Sequence, residues 1–180
     1  MPKAEIETLA SKVVYQNRWM TVREDQIRRQ NGSLGIYGVV EKSDFAVIAA
    51  VQDNFMYLVE QYRYPVGARC WEFPQGTWDH GNNDPLELAK AELREETGLT
   101  AGRIHHVAKL HEAYGYSTQA FDLFFATDLR QGEPQLEPEE HGLIAKAFPI
   151  HSVEDMICAG QITDAVTVAS FGLLRLKRLL

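Results

Sequence analysis

The sequence predicts a mixed α/β fold in which helices pack on a sheet. Three observations carry this. Runs rich in β-formers, bounded by turn residues, fill the stretch from Trp19 to Arg63. A helix with signals at both ends follows at Asp84. Two more helical segments close the chain after further strand-like runs.

The elements follow in order. Trp19 to Arg29 is rich in Thr, Val and Ile, Asn31-Gly32 supplies a turn, and Gly35 to Lys42 returns, which reads as a hairpin. Phe45 to Val51 reads as a buried strand, Gln52-Asp53-Asn54 as a turn, and Phe55 to Arg63 as the returning strand. A loop holding Pro65, Gly67, Pro74, Gly76 and Gly81 runs on to about Asn83. Asp84 caps the central helix ahead of Pro85, Glu87 is placed to close a capping box, and Gly98 is the left-handed stop. Leu86, Ala89 and Leu93 line its packed face. Val107 to Glu112 and Phe121 to Thr127 read as strands. Ser152-Val153-Glu154-Asp155 has capping-box form and opens a short helix ending near Gly160. Asp164 caps a last helix whose Arg175, Lys177 and Arg178 suit the negative end of its dipole.

Length and composition set the class. The 180 residues suit one domain, and 45% hydrophobic with 24% charged residues is ordinary for a soluble globular protein. A net charge of −7 argues against general nucleic-acid binding. The two cysteines, Cys70 and Cys158, stand far apart and in no metal-ligand spacing, so a reducing cytoplasm is expected. The charged start (Lys3, Glu5, Glu7) lacks a signal-type apolar core, and no run approaches the roughly 18 apolar residues of a membrane span. There is no internal repeat and no low-complexity linker. Neither nucleic acid nor membrane is expected as a partner.

The informative residues are Glu92, Glu95 and Glu96 on the central helix. At about 100° per residue all three fall within an arc of roughly 100°, beside the apolar face. Lys90 and Arg94 lie further round and are expected to leave the cluster unneutralised. A solvated acidic face is the bland reading, and it fits poorly. Glu92 and Glu96 repel at i,i+4 by roughly 0.2–0.5 kcal/mol. The last turn disfavours each anion by about 0.3–1 kcal/mol more. A divalent cation reverses both penalties. Oxygen ligands without clustered His or Cys point to Mg²⁺ or Mn²⁺ rather than zinc.

The stretch Gly76-TWDHGNNDPLELAKA-Glu92-Leu93-Arg94-Glu95-Glu96-Thr97-Gly98-Leu99 resembles the box of the Nudix hydrolases. That box runs Gly, five residues, Glu, seven residues, Arg-Glu-apolar-x-Glu-Glu-x-Gly-apolar. The second half matches in type and spacing. In the first half the loop is one residue longer, the box's first Glu falls at Asn82 or Asn83, and its Arg falls at Ala91. Gln61-Tyr62-Arg63-Tyr64-Pro65, Trp71-Glu72-Phe73-Pro74-Gln75-Gly76 and Gly160-Gln161-Ile162-Thr163-Asp164-Ala165 extend the likeness to the ADP-ribose pyrophosphatase branch.

The resemblance implies a single Nudix α/β/α sandwich over 1–180, with a mixed sheet and an N-terminal antiparallel hairpin. Residues 1–42 would form N-terminal strands in dimer contact and 43–180 the catalytic core. It implies metal-dependent hydrolysis of ADP-ribose or a related nucleoside diphosphate sugar to two monophosphates, by a homodimer. Glu92, Glu96 and the Gln75 carbonyl would hold the metal, with Glu95 close by. Glu72 would lie at the pocket edge and Arg63 would face the substrate's phosphates. The general base would come from Glu137-Pro138-Glu139-Glu140-His141, with Glu140 favoured and Glu139 the alternate. Trp19 and Tyr37 correspond to aromatics that stack on the nucleotide base; simple sheet packing is the other reading. Tyr114 stands where the branch commonly has a proline, and its ring suits stacking on a base or sugar. A tyrosine there resembles the dinucleoside polyphosphate branch, the rival substrate class. A nucleotide-binding regulator without turnover is the rival from outside the enzymes. His111-Glu112 lacks the second histidine of a zinc-protease motif. His105 and His106 read as surface or packing residues, and Trp71 and Phe73 as core.

Overall fold

The structure, a computed structural model, describes residues 5–77, 84–136 and 141–180. Its contacts divide the chain into two compact units, one of residues 1–44 and 111–121, the other of residues 45–110 and 122–180.

The first unit holds an antiparallel sheet in the order β1 (Ile6–Gln16), β2 (Thr21–Arg29), β3 (Leu34–Glu41). The expected hairpin is β2–β3. Its turn is made by Gly32 at φ 81° and by Asn31, whose side chain accepts from the Ser33 N–H at 3.0 Å. The third strand, β1, corrects the expectation of a lone hairpin. All eleven of its residues are exposed, so it carries no buried alternation for a sequence reading to detect. The Asn17 side chain accepts from the Trp19 and Met20 N–H groups, both at 2.9 Å, and so turns β1 into β2. The 111–121 segment joins this unit through Val40, which pairs in parallel with Ser117.

The second unit is built on a sheet in the order β10 (Ile144–Pro149), β5 (Phe55–Arg63), β4 (Phe45–Gln52), β9 (Ala120–Gln131), β8 (Leu99–His111). From Phe45 to Ala50 every residue of β4 is buried, so the central strand is covered on both faces. Two short strands, β6 (Ala68–Glu72) on β5 and β7 (Gln75–Gly76) on β4, lie inside what the sequence suggested was loop. They are strands by virtue of their pairing rather than their propensity. The same holds for β10, which was not foreseen, and for the extra length of β8 and β9.

The central helix α1 (Pro85–Thr97) forms as its signals require. Asp84 accepts from the Leu86 N–H at 2.9 Å, and Gly98 stops the helix at φ 74°. A side chain at Gly98 would also meet the Gly132 carbonyl oxygen at 2.6 Å. Leu88, Ala89 and Leu93 pack into a core with Ala46, Ile48, Ala50, Leu99, Phe124 and Ala126. Glu87 pairs with Lys90 at 2.7 Å. Helix α2 (Ile150–Cys158) starts ahead of the expected Ser152 box, behind Pro149 and without a side-chain cap. The Ile150 N–H bonds the Asn54 carbonyl at 3.0 Å, so the turn after β4 takes the place of a cap. Helix α3 (Ala165–Leu176) begins as expected, Asp164 accepting from the Thr167 N–H at 2.8 Å. Helix α1 packs on β4, β5, β7 and β10, and α2 on β5 and β10. Among the described residues no helix is long and apolar enough to cross a membrane.

Candidate active site

The second unit gathers most of the expected site residues. Pairing of Gln75 with Val47 and of Gly76 with Ala46 clips β7 onto β4, and α1 lies against both strands. The helix carries its acids onto that clip. Glu96 is only 1% exposed and its Oε2 accepts from the Gln75 N–H at 3.0 Å. Glu92 is 8% exposed, and its carboxylate occupies the space a side chain at position 76 would need, 2.3 Å from the ideal Cβ. Glycine at 76 is therefore what admits the Glu92 carboxylate. Glu95 is different, with its side chain 27% exposed.

Burial speaks against the solvated reading of the acidic arc. A solvated face would leave its carboxylates in water, yet two of the three are buried beside one another on consecutive turns. Burying anions is expensive unless a positive partner is supplied. The described residues contain no group of three or more His, Cys, Asp or Glu side chains placed to hold a metal ion by themselves. Glu92 and Glu96 closed over the Gln75-Gly76 strand fit a hard divalent cation that takes its remaining ligands from neutral oxygens.

Arg94 requires a correction. Its Nη2 lies 3.3 Å from Glu95 Oε1, so a cation does reach the acidic arc. The helical wheel alone excluded this, because it places Cβ atoms and ignores the length and flexibility of an arginine side chain.

Beside the arc lies a fourth carboxylate. Glu72, at the end of β6, is buried and receives Arg63 in bidentate fashion, Nε to Oε1 at 2.9 Å and Nη2 to Oε2 at 2.8 Å. The Gln75 side chain donates to Glu72 Oε2 at 2.7 Å. Desolvation by burial lifts the Glu72 carboxyl above the usual carboxylate range in spite of Arg63, and the charge of Asp164 pushes the same way. Burial works against the Arg63 charge, but the hydrogen bonds to Glu72 together with the charges of Glu72, Glu96 and Asp164 outweigh it and hold its pKa above the ordinary value. In this arrangement Arg63 neutralises Glu72. The Phe73 N–H bonds Thr167 Oγ1 at 2.9 Å, tying this segment to the first turn of α3. Sequence reading did not place Thr167 or Asp164 here; Asp164 signalled a helix cap and formed part of the 160–165 likeness, with no place in the site.

The aromatic candidates belong to the first unit. Trp19 is exposed, with the Arg18 guanidinium 4.2 Å from its ring centroid. The Tyr37 hydroxyl donates to the Gly115 carbonyl at 2.8 Å and so pins the turn that carries Tyr114. Tyr114 is 84% exposed. Glu140 and Glu139, the expected base and its alternate in that order, lie outside the described residues, as do Asn82 and Asn83.

Comparison with known proteins decides the family. The NUDIX domain profile matches residues 42–167, the stretch from β4 to the start of α3. The chain belongs to the Nudix family. By that membership it is a Nudix pyrophosphohydrolase. A second profile, the nucleoside diphosphate sugar hydrolase N-terminal domain, matches residues 6–40, the three strands of the first unit. The Nudix chain is 32% identical over 171 residues to an ADP-ribose pyrophosphatase of Mycobacterium tuberculosis, covering 94% of this chain and 83% of that one. It is 23% identical over 182 residues to an ADP-ribose pyrophosphatase of Bacillus subtilis, covering 100% and 98%. Its fold is shared with a crystal structure of an ADP compounds hydrolase, at a TM-score of 0.84 and 23% identity, covering 96% and 93%. The Nudix fold and the antiparallel N-terminal strands expected from the sequence are both present.

Proposed function

We propose that this Nudix pyrophosphohydrolase cleaves ADP-ribose or a related nucleoside diphosphate sugar at its pyrophosphate, giving two monophosphates. It works with Mg²⁺ or Mn²⁺, as a cytoplasmic homodimer built on one Nudix domain. The observation that carries the reading is the pair of buried carboxylates, Glu92 and Glu96, closed over Gln75-Gly76.

Glu92, Glu96 and the Gln75 carbonyl hold the cation, with Glu95 at their edge. The cation, when bound, neutralises the pyrophosphate and acidifies the attacking water. The chain's own residues do the rest. Arg63 and Glu72 brace the strand that presents Gln75, and Arg63 offers its exposed side to a phosphate oxygen. A glutamate of the late loop, Glu140 or its neighbour Glu139, removes the proton from water. Trp19, Tyr37 and Tyr114 supply aromatic faces for the base or sugar. Support for a homodimer comes from apolar residues left in water on the first unit: Leu9, Val13, Val14, Tyr15, Leu34 and Ile36 are all exposed.

Support for the sugar class comes from the N-terminal profile over residues 6–40 and from the two ADP-ribose pyrophosphatase relatives. One observation favours a dinucleoside polyphosphate instead, the exposed Tyr114 ring where the branch commonly has proline. The test is kcat/KM for ADP-ribose, other nucleoside diphosphate sugars and diadenosine polyphosphates at one Mg²⁺ concentration. The sugar class should lead. A preference of about tenfold for the polyphosphate, worth about 1.4 kcal/mol, reverses the ranking, and absence of turnover on every substrate returns the regulator.

A further inference from the structure

We propose that the side-chain amide oxygen of Gln75 joins the oxygen shell of the divalent cation held by Glu92 and Glu96, directly or through one of its bound waters. The inference rests on the metal reading above and adds a ligand from a side chain that reading leaves unused.

The orientation of the amide is fixed by its nitrogen. Gln75 Nε2 donates to Glu72 Oε2 at 2.7 Å, and the flipped amide would set its oxygen against that carboxylate. The oxygen Oε1 must therefore face away from Glu72. It is buried there and, among the described residues, accepts no hydrogen bond. A buried acceptor left unmatched is costly, which calls for an explanation of why the fold keeps this one.

The place of Gln75 indicates the use. Its own N–H holds Glu96 at 3.0 Å, and the Glu92 carboxylate stands over the next residue. The orphan oxygen thus belongs to the residue that the two buried acids straddle. An amide oxygen is a hard, neutral donor of the kind Mg²⁺ and Mn²⁺ accept. No third acidic, His or Cys group completes a cluster among the described residues, which leaves room for neutral oxygens in the shell. The hydrogen bond to Glu72 then acts as the outer support that aims the ligand.

Mn²⁺ binding to the free protein, followed by electron paramagnetic resonance without substrate, tests this in four proteins: wild type, Glu96→Gln, Gln75→Met and Gln75→Glu. Gln75→Met keeps the length and apolar stem but lacks the oxygen, and it should weaken Mn²⁺ by about tenfold or more. Gln75→Glu restores an oxygen at the same reach and should bind more tightly than Gln75→Met. Gln75→Met within about twofold of wild type, while Glu96→Gln binds weakly, overturns the Gln75 assignment and leaves the site reading standing. Equal affinities for Gln75→Met and Gln75→Glu overturn it as well. Unchanged binding in Glu96→Gln removes the site reading and this inference with it. Circular dichroism and Tm of each variant establish folding. Should Gln75→Met not fold, Gln75→Leu, which also lacks the oxygen, is read in its place by the same criterion.

Discussion

Helix α1 and strand β1 treat their distinctive side chains in opposite ways. On α1, charged groups are taken out of water: Glu96 is 1% exposed, and the backbone N–H of Gln75 meets it. On β1, apolar groups are left in water: Val13 is 54% exposed, and no residue of the strand is buried. Each arrangement is unfavourable taken alone, since a buried anion wants a cation and an exposed apolar strand wants a cover. The contrast shows two regions that suit partners of different kinds. The acids suit a hard divalent ion. The strand suits a surface, which a second chain would supply in the proposed homodimer.

The sharpest way to break the contrast is to disturb the pocket without disturbing the fold. Gly76→Ala sets a methyl group where the Glu92 carboxylate now sits, 2.3 Å away. The carboxylate is the free end of a flexible side chain, so it swings aside at little expense to the backbone. We expect kcat to fall by about 10²-fold, as removal of one charge-stabilising group does, with Tm nearly unchanged. A large fall in Tm would mean that the glycine serves packing instead.

At the exposed end, Val13→Lys with Tyr15→Lys places two charges on β1. The dimer constant should weaken by about tenfold or more, because like charges then face one another in an isologous contact. Sedimentation velocity over a concentration series reads it. A wild type that stays monomeric throughout would remove the second chain from the account.

Arg94 gives the smallest effect. It is half-exposed, and its pair with Glu95 is of the kind worth roughly 0–1 kcal/mol. Arg94→Ala should lower kcat by about threefold. Position 91 lies one helical turn before Glu95 and opens onto a cavity of about 430 Å³ shared with Arg94, Thr100 and Ile104. Arginine introduced at Ala91 therefore has room to reach Glu95 at i,i+4. Ala91→Arg in the Arg94→Ala background should restore the lost rate, and failure of that rescue would make Arg94 a surface charge only.

The same contrast governs what was legible in the sequence. The α1 reading rested on spacing, which helix geometry turns directly into position: Asp84, Gly98, Leu93, Glu92 and Glu96 all stand where the periodicity puts them. Strand β1 was illegible because exposure on both faces erases the alternation that identifies strands. β6 and β7 were illegible for another reason. Five- and two-residue strands are defined by their partners β5 and β4, and pairing is a tertiary fact. Arg63 shows the limit within the site. Its residue type and place were legible, but its bidentate hold on Glu72 depends on the β5–β6 register.

The central claim is that the buried acids of α1 hold the catalytic cation, and turnover of Glu96→Gln tests it most directly. The amide is nearly isosteric and accepts from the Gln75 N–H as the carboxylate does, so the fold should survive while the charge is lost. With ADP-ribose and Mg²⁺ saturating, kcat should fall by at least about 10²-fold. Turnover close to wild type would contradict the account.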